Sequence, residues 1–371
     1  MFTMFLYDHP SMLAGDHVRK RYTFLDELRG VAALSVAVLH AAQIFPFPLF
    51  SSADLAVDFF FCLSGFVLAN AYDEKLISRQ MTGGGLFLKR VIRLYPMIVI
   101  GVVLGIIASL VSSSPYSLAI HDIPLLTLGG LLLLPAGLIR NLEAFALNNP
   151  LWSLSFELAA NTIYGFAPGG KVRSRDAALL GLLTLALCAM IYMRGSISGA
   201  GFSTWSGFFA GFPRVGFSFF AGVLIYRWNL FSRVKTVGPK LPLILLAMVF
   251  FAPLAPDWEL KGWYDLFSIT VIIPAVVTLA AAVPEGEKRA IGIQLGRLSY
   301  PFYTTHQPLI RLGAEFQRAT NGIIPLPLTV LLTLLGALGL SHFLLRRFDE
   351  PVRESLDRAL VRQTTKAPSY V

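Results

Sequence analysis

Two ionisable residues lie on one predicted apolar helix. Arg29 stands at the start of the apolar segment 28–46, and His40 lies eleven residues further on. At about 1.5 Å of rise per residue, this spacing separates them by about 16 Å along a helix. An imidazole accepts and returns protons near neutral pH, so His40 is predicted to be a general base with a cation at the mouth of its helix. The alternatives are a packed neutral histidine and an arginine that only anchors the helix end.

Two carboxylates are predicted at a depth similar to that of His40. Asp58 lies near one end of the apolar segment 55–72, and Glu157 lies about two turns inside the segment 151–168. A carboxylate within a membrane requires a partner or a proton. Either side chain is therefore predicted to orient the imidazole of His40 and stabilise its charged form. For Asp58, a helix cap at the membrane interface is an equally good interpretation.

A pair of arginines precedes the third apolar segment. Arg90 and Arg93 are three residues apart, which places both on one face of a helix. Guanidinium groups match the geometry of phosphate, so with Arg29 they predict a site for an anionic ligand. The alternative is that these cations only set the orientation of the helices in the membrane.

Further polar and aromatic residues fall inside apolar segments and predict a polar cavity within the bundle. The small Ser64 and Gly65 would let a helix or an extended ligand approach the backbone. The candidates for substrate binding are Ser64, Trp152, Arg214 and His306.

The composition excludes a water-soluble globular enzyme. Of 371 residues, 55% are hydrophobic and 14% are charged, against about 25% charged in an ordinary soluble domain. The net charge of +9 does not predict nucleic-acid binding, because no separate polar domain presents a basic face. Cys62 and Cys188 both lie in apolar runs, so neither a disulfide nor a metal site is expected.

The fold class predicted is all-α, a polytopic transmembrane bundle. Nothing suggests the alternating strands of a barrel, and backbone hydrogen bonding in lipid requires helices. Eleven apolar segments occur, at about 28–46, 55–72, 94–113, 123–139, 151–168, 176–193, 208–226, 241–256, 263–283, 293–313 and 324–345.

The distribution of lysine and arginine predicts ten spans. If 123–139 does not cross, about 25 of the 31 cations, including the basic stretch 19–21, fall on the cytoplasmic side; if it crosses, the two sides are about even. Segment 123–139 is then a re-entrant or in-plane helix, and both termini are cytoplasmic. Residues 1–346 are predicted to form one membrane domain and 347–371 a basic cytoplasmic tail, disordered from about 362.

Several of these motifs together resemble the acyltransferase 3 family of integral membrane proteins. They are Arg29 with His40, the run 60–66, Arg90 and Arg93 before Tyr95 and Pro96, the stretch from Trp152 to Glu157, and the run 295–303 followed by His306. The resemblance extends over about residues 22–346. It implies ten spans, an acyl-CoA donor arriving from the cytoplasm, and transfer of an acyl group, usually acetyl, to a sugar.

The resemblance leads to a mechanistic hypothesis. Arg29, Arg90 and Arg93 would bind the phosphates of CoA, and His40 would be the base that acts on a sugar hydroxyl of a surface polysaccharide or glycolipid. The partners expected are the lipid bilayer of a bacterial inner membrane, acyl-CoA and a glycan. The alternative is a transporter or flippase for a sugar or lipid-linked glycan, which lacks support because the chain has no pseudo-repeated halves.

Overall fold

The computed structural model describes residues 22–45, 52–112, 118–167, 173–235, 237–252, 260–284 and 290–366. The predicted basic stretch 19–21 and the end of the predicted tail, 367–371, lie outside these ranges. All regular secondary structure in the described ranges is helical. The predicted all-α class is therefore confirmed.

Each predicted apolar segment corresponds to a helix or to a closely spaced pair of helices. The thirteen α-helices of the described residues are α1 Thr23–Ile44, α2 Ala56–Ile77, α3 Gly83–Val111, α4 Ile123–Leu132, α5 Leu151–Phe166, α6 Arg173–Arg194, α7 Trp205–Arg227, α8 Lys240–Phe251, α9 Lys261–Phe267, α10 Ile273–Ala281, α11 Ala290–Ala319, α12 Leu326–Leu344 and α13 Glu350–Lys366.

Six helical stretches within the described residues are long and apolar enough to cross a membrane. They include α2, α3, α6, α7, the α9–α10 pair and α12. A π-helical turn, Ser268–Ile272, joins α9 to α10. Helix α8 is apolar but shorter than these six.

Segment 123–139 is broken in two. Helix α4 has ten residues and rises only about 15 Å, half the hydrocarbon thickness of a bilayer. It ends because Leu133 adopts the left-handed conformation, with φ of 54°, and a short 3₁₀ helix, Ala136–Arg140, follows.

Helices α1 and α11 pack in parallel over much of their length. Near their starts, Nε of Arg29 donates to Ser299 at 2.9 Å, and further on His40 meets His306. A side chain at Gly30 would clash with Leu295, so the close approach at this end requires glycine. Because the contacting residue numbers rise together, the two helices run in the same direction.

Two other pairs are also parallel. Between α2 and α7, Asp58 meets Arg214 and Asp73 meets Arg227. At the crossing between these contacts, a Cβ at Gly65 would overlap the carbonyl of Phe219, so the predicted close approach at Gly65 is made by a helix. Helix α3 likewise follows α11, because Leu94 accepts from Tyr300 and Ser112 donates to Glu315.

The predicted basic tail is helical as far as the structure describes it, and the helix extends past residue 362, where disorder is predicted to begin. A π-helical turn, Leu345–Asp349, connects α12 to α13, which continues to Lys366. Asp349 is fully buried and accepts from Arg353 at 2.6 Å, one turn later. This buried pair fixes the start of α13, which the composition of the tail alone did not indicate.

Candidate functional site

The centre of the site is a pair of histidines. Nδ1 of His40 lies 2.8 Å from Nε2 of His306, and the two rings are nearly parallel, with an interplanar angle of 5°. His306 is fully buried, whereas His40 is partly exposed. His40 is therefore the more accessible member of the pair.

Helix α11 is held in register around this pair. Pro308 has no N–H, so the carbonyl of Thr304 loses its helical donor, and Nδ2 of Asn148 donates to it instead at 2.8 Å. Thr305 hydrogen-bonds Ser341 of α12 at 2.9 Å. Both contacts lie within one turn of His306 and restrict its backbone.

The predicted contact of Glu157 with His40 is wrong. The carboxylate of Glu157 accepts from Arg90 and, at 3.2 Å, from Ser64. Helix α5 runs antiparallel to α3, as Gly83 lies against Gly165 and Gly105 against Leu147. Glu157 therefore falls opposite the first turns of α3, and a charged guanidinium there is a stronger partner than a neutral imidazole.

The predicted contact of Asp58 with His40 is also wrong. Asp58 is fully buried and forms two-point contacts with Arg214, at 3.0 Å from Nε and 2.6 Å from Nη2 to Oδ2. Ser218 adds a third donor at 3.2 Å. Arg214 also donates to the carbonyls of Asp54 and Ala200, so this pair joins α2 and α7 to the neighbouring loops.

Two of the residues predicted to bind substrate lie inside the wall of the bundle. Arg214 is 2% exposed and stacks over the ring of Trp152, which is 5% exposed and packs on Phe61 and Phe202. Their burial favours a packing role over direct contact with an acceptor. Ser64 is partly exposed and holds Glu157, while His306 belongs to the histidine pair.

The predicted cations share one end of the bundle but differ in what they contact. Because α1, α3 and α11 are parallel, Arg29, Arg90 and Arg93 all lie near the end where these helices begin. Arg29 donates to the carbonyl of Gly296 at 2.6 Å and pairs with Asp26 at 3.2 Å, so it fastens α1 to α11. Arg90 is bound to Glu157.

Arg93 is the open member of the set. It is half-buried, and no described residue accepts a hydrogen bond from it. Arg90 and Arg353 both lie close enough to repel its charge, while Asp349 attracts it. Since Asp349 is already bound by Arg353, the cluster retains positive charge that suits an anionic group.

Sequence reasoning missed two residues of this site. Arg353 was assigned to a tail, although its spacing of four from Asp349 is the spacing of a helical ion pair. Tyr303, whose hydroxyl lies 2.8 Å from that of Ser153, packs against both Phe60 and His306. The sequence does indicate Tyr303, because it lies three residues before His306 and therefore on the same face of α11.

Comparison with known proteins identifies the family to which the chain belongs. The acyltransferase domain of the acyltransferase 3 family matches residues 22–345, most of the chain. A Rhizobium radiobacter protein named protein 2 in picA locus is 37% identical over 185 residues, covering 47% of this chain and 94% of that protein. No solved structure matches the chain significantly. The chain therefore belongs to the acyltransferase 3 family, and it is an acyltransferase of the membrane.

Proposed function

We propose that this acyltransferase moves an acyl group, most often acetyl, from acyl-CoA to a hydroxyl of a sugar in a surface polysaccharide or glycolipid. The observation that carries the proposal is the histidine pair. A partly exposed imidazole held by a second, buried imidazole is a base whose orientation is fixed. The two histidines lie on α1 and α11. Both helices begin near Arg29, Arg90, Arg93 and Arg353, which we call the arginine cluster.

The reaction needs one base and a thioester. The acceptor oxygen forms a C–O bond to the thioester carbonyl carbon while its proton passes to His40. The C–S bond breaks, its electron pair stays on sulfur, and His40 returns the proton to give the free thiol of CoA. Positioned general bases contribute about 10²–10⁴-fold to such reactions. An acyl-imidazole intermediate is the alternative: a C–N bond to His40 forms as the C–S bond breaks, and this C–N bond breaks when the acceptor oxygen forms the C–O bond and its proton passes to the CoA thiolate.

The donor would lie with its phosphates at the arginine cluster. Arg93 has donors to offer, and Arg90 and Arg353 add to the positive field around it. Arg29, which is fastened to α11, would contribute charge and hold the helices together. His40 is about 16 Å along α1 from Arg29, a distance that the extended pantetheine arm can bridge.

The packing of the helices supports the ten-span topology, in which both termini lie on the same side, and the distribution of lysine and arginine favours the cytoplasm as that side. The parallel pairs α1/α11, α2/α7 and α3/α11 all have α4 between their members in the chain. If every other apolar segment crosses, a crossing by α4 would make each pair antiparallel. The short α4 and the three parallel pairs therefore favour the ten-span arrangement.

The test is chemical analysis of surface glycans from cells that carry the gene, lack it, or carry His40→Gln. We expect sugars with one additional acetyl group only in the first, with equal amounts of the two proteins in the membrane. Acetylation that persists in the His40→Gln cells would contradict the role of His40. Identical glycans in all three strains would contradict the acceptor class.

A further inference from the structure

We propose that His306 is a positioning residue that holds His40 in the tautomer protonated at Nδ1, so that Nε2 of His40 carries the lone pair that accepts the proton. This inference rests on the proposed function for the identity of the reaction. The tautomers themselves follow from hydrogen-bond donors and acceptors alone.

The chain of inference starts at a backbone carbonyl. Nδ1 of His306 lies 3.1 Å from the carbonyl oxygen of Phe302, one turn earlier on α11. A carbonyl can only accept, so Nδ1 of His306 carries the hydrogen of that bond. In a neutral imidazole the other nitrogen is then bare. Nε2 of His306 is therefore an acceptor.

The second step transfers this constraint to His40. Nε2 of His306 lies 2.8 Å from Nδ1 of His40, so an acceptor on one ring requires a hydrogen on the other. His40 is then protonated at Nδ1 and bare at Nε2. The backbone of α11 thus determines which nitrogen of His40 is basic. It acts through two hydrogen bonds, one from His306 to Phe302 and one from His40 to His306.

Burial assigns the two roles. His306 is fully buried and its ring packs against Phe302 and Tyr303, so its ring is held away from substrate. His40 is partly exposed. The two carboxylates predicted to orient His40, Asp58 and Glu157, are bound to arginines, so the imidazole is oriented by a neutral partner and not by a charged one.

A neutral partner has a chemical consequence. When Nε2 of His40 accepts the acceptor's proton, the resulting cation still donates from Nδ1 to His306 and so keeps its position. No carboxylate holds the charge, and the proton is readily given to the leaving sulfur. The pair therefore suits a base that must release its proton within the same turnover.

The first experiment uses two variants of His306 with a matched control. The side chain of glutamine reaches about as far as Nε2 of histidine and has an acceptor oxygen, whereas leucine has none. We expect His306→Leu to lower kcat by about 10–100-fold, as for removal of other orienting partners, with KM for the acyl donor unchanged. His306→Gln should retain most of kcat, and His342→Gln, at an exposed position on α12, should resemble the wild type.

The outcomes separate the roles. Equal kcat for His306→Leu and His306→Gln, whether both high or both low, would overturn the proposal. A change confined to KM would do the same, since it would make His306 a binding residue. Protein yield and thermal unfolding of each variant are measured alongside, and His306→Gln remains informative if His306→Leu does not fold.

The second experiment needs no substrate. Solid-state NMR of the full chain in lipid, labelled with ¹⁵N-histidine, distinguishes protonated from bare ring nitrogens, and His40→Gln and His306→Gln assign the two residues. We expect both rings to be protonated at Nδ1. A hydrogen on Nε2 of His40 would refute the inference. If both rings show the expected tautomer but wild-type protein transfers no acyl group, the tautomer assignment stands and the proposed function fails.

Discussion

The buried pair of Asp58 and Arg214 should be required for stability and not for chemistry. Arg214→Met would leave a fully buried carboxylate with one remaining donor, Ser218. It would also remove the donors to the carbonyls of Asp54 and Ala200. The pair holds α2 against α7 near one end of their shared crossing.

The expected magnitudes follow from this geometry. Breaking a buried pair by removing one partner typically costs about 3–5 kcal/mol, and we expect that range for Arg214→Met. Replacing both members by apolar residues removes the orphaned charge, so Asp58→Leu with Arg214→Met should cost about 1–3 kcal/mol, mainly from the carbonyl of Ala200, because the carbonyl of Asp54 keeps the N–H of Ala56 as a donor. The double variant should thus be more stable than Arg214→Met alone.

The assay is reversible unfolding in mixed micelles, followed by fluorescence, for both single variants and the double variant. The control is Arg140→Met, which breaks the pair with Asp122 at a side chain that is 42% exposed and should cost at most about 1 kcal/mol. A double variant that is as unstable as the sum of the two single variants would refute the coupling. An Asp58→Asn protein with wild-type stability and no activity would instead restore Asp58 to the catalytic machinery.

Three further predictions concern the donor site, the helix crossing and the topology. Arg93→Ala should raise KM for acyl-CoA by about tenfold or more, the equivalent of about 1.5–3 kcal/mol for a lost charge-assisted hydrogen bond, and Arg93→Lys should recover only part of it; unaltered kinetics in both would move the phosphate site elsewhere. Gly65→Ala should reduce the yield of folded protein because its Cβ would overlap α7, whereas Gly339→Ala on α12 has open space and should be neutral; equal yields would contradict this crossing. Reporter fusions at 171–175 and at the C-terminus should both report cytoplasm, and an outside report from either would exclude ten spans.

The helices could be predicted from the sequence because each needs only a local run of apolar residues. Their partners could not, because contact between helices depends on rotation about the axis. His40 and His306 are 266 residues apart, and nothing between them indicates which faces will meet. Helices such as α12 are apolar on almost every side, so their patterns do not reveal which face is buried.

The carboxylates illustrate the same limit. Similar depth along a span suggested that Glu157 would meet His40, but depth alone leaves several neighbours at the same level. Glu157 pairs with Arg90 because α5 runs antiparallel to α3 and because a carboxylate bonds more strongly to a guanidinium than to a neutral imidazole. Likewise, the composition of residues 347–371 predicts only a basic tail, although the ion pair of Asp349 with Arg353 lies at the start of a helix.

The parallel packing of α1 and α11 has a consequence for how substrates reach the histidines. The two helices are joined at two levels, by Arg29 to Gly296 and by His40 to His306, at 2.6 and 2.8 Å. Sliding one helix along the other by a full turn, about 5.4 Å, would break both contacts. A carrier that alternates access needs one group of helices to rock against another. This pair resists such motion, so under the proposed function the thioester and the hydroxyl would both travel to a stationary imidazole.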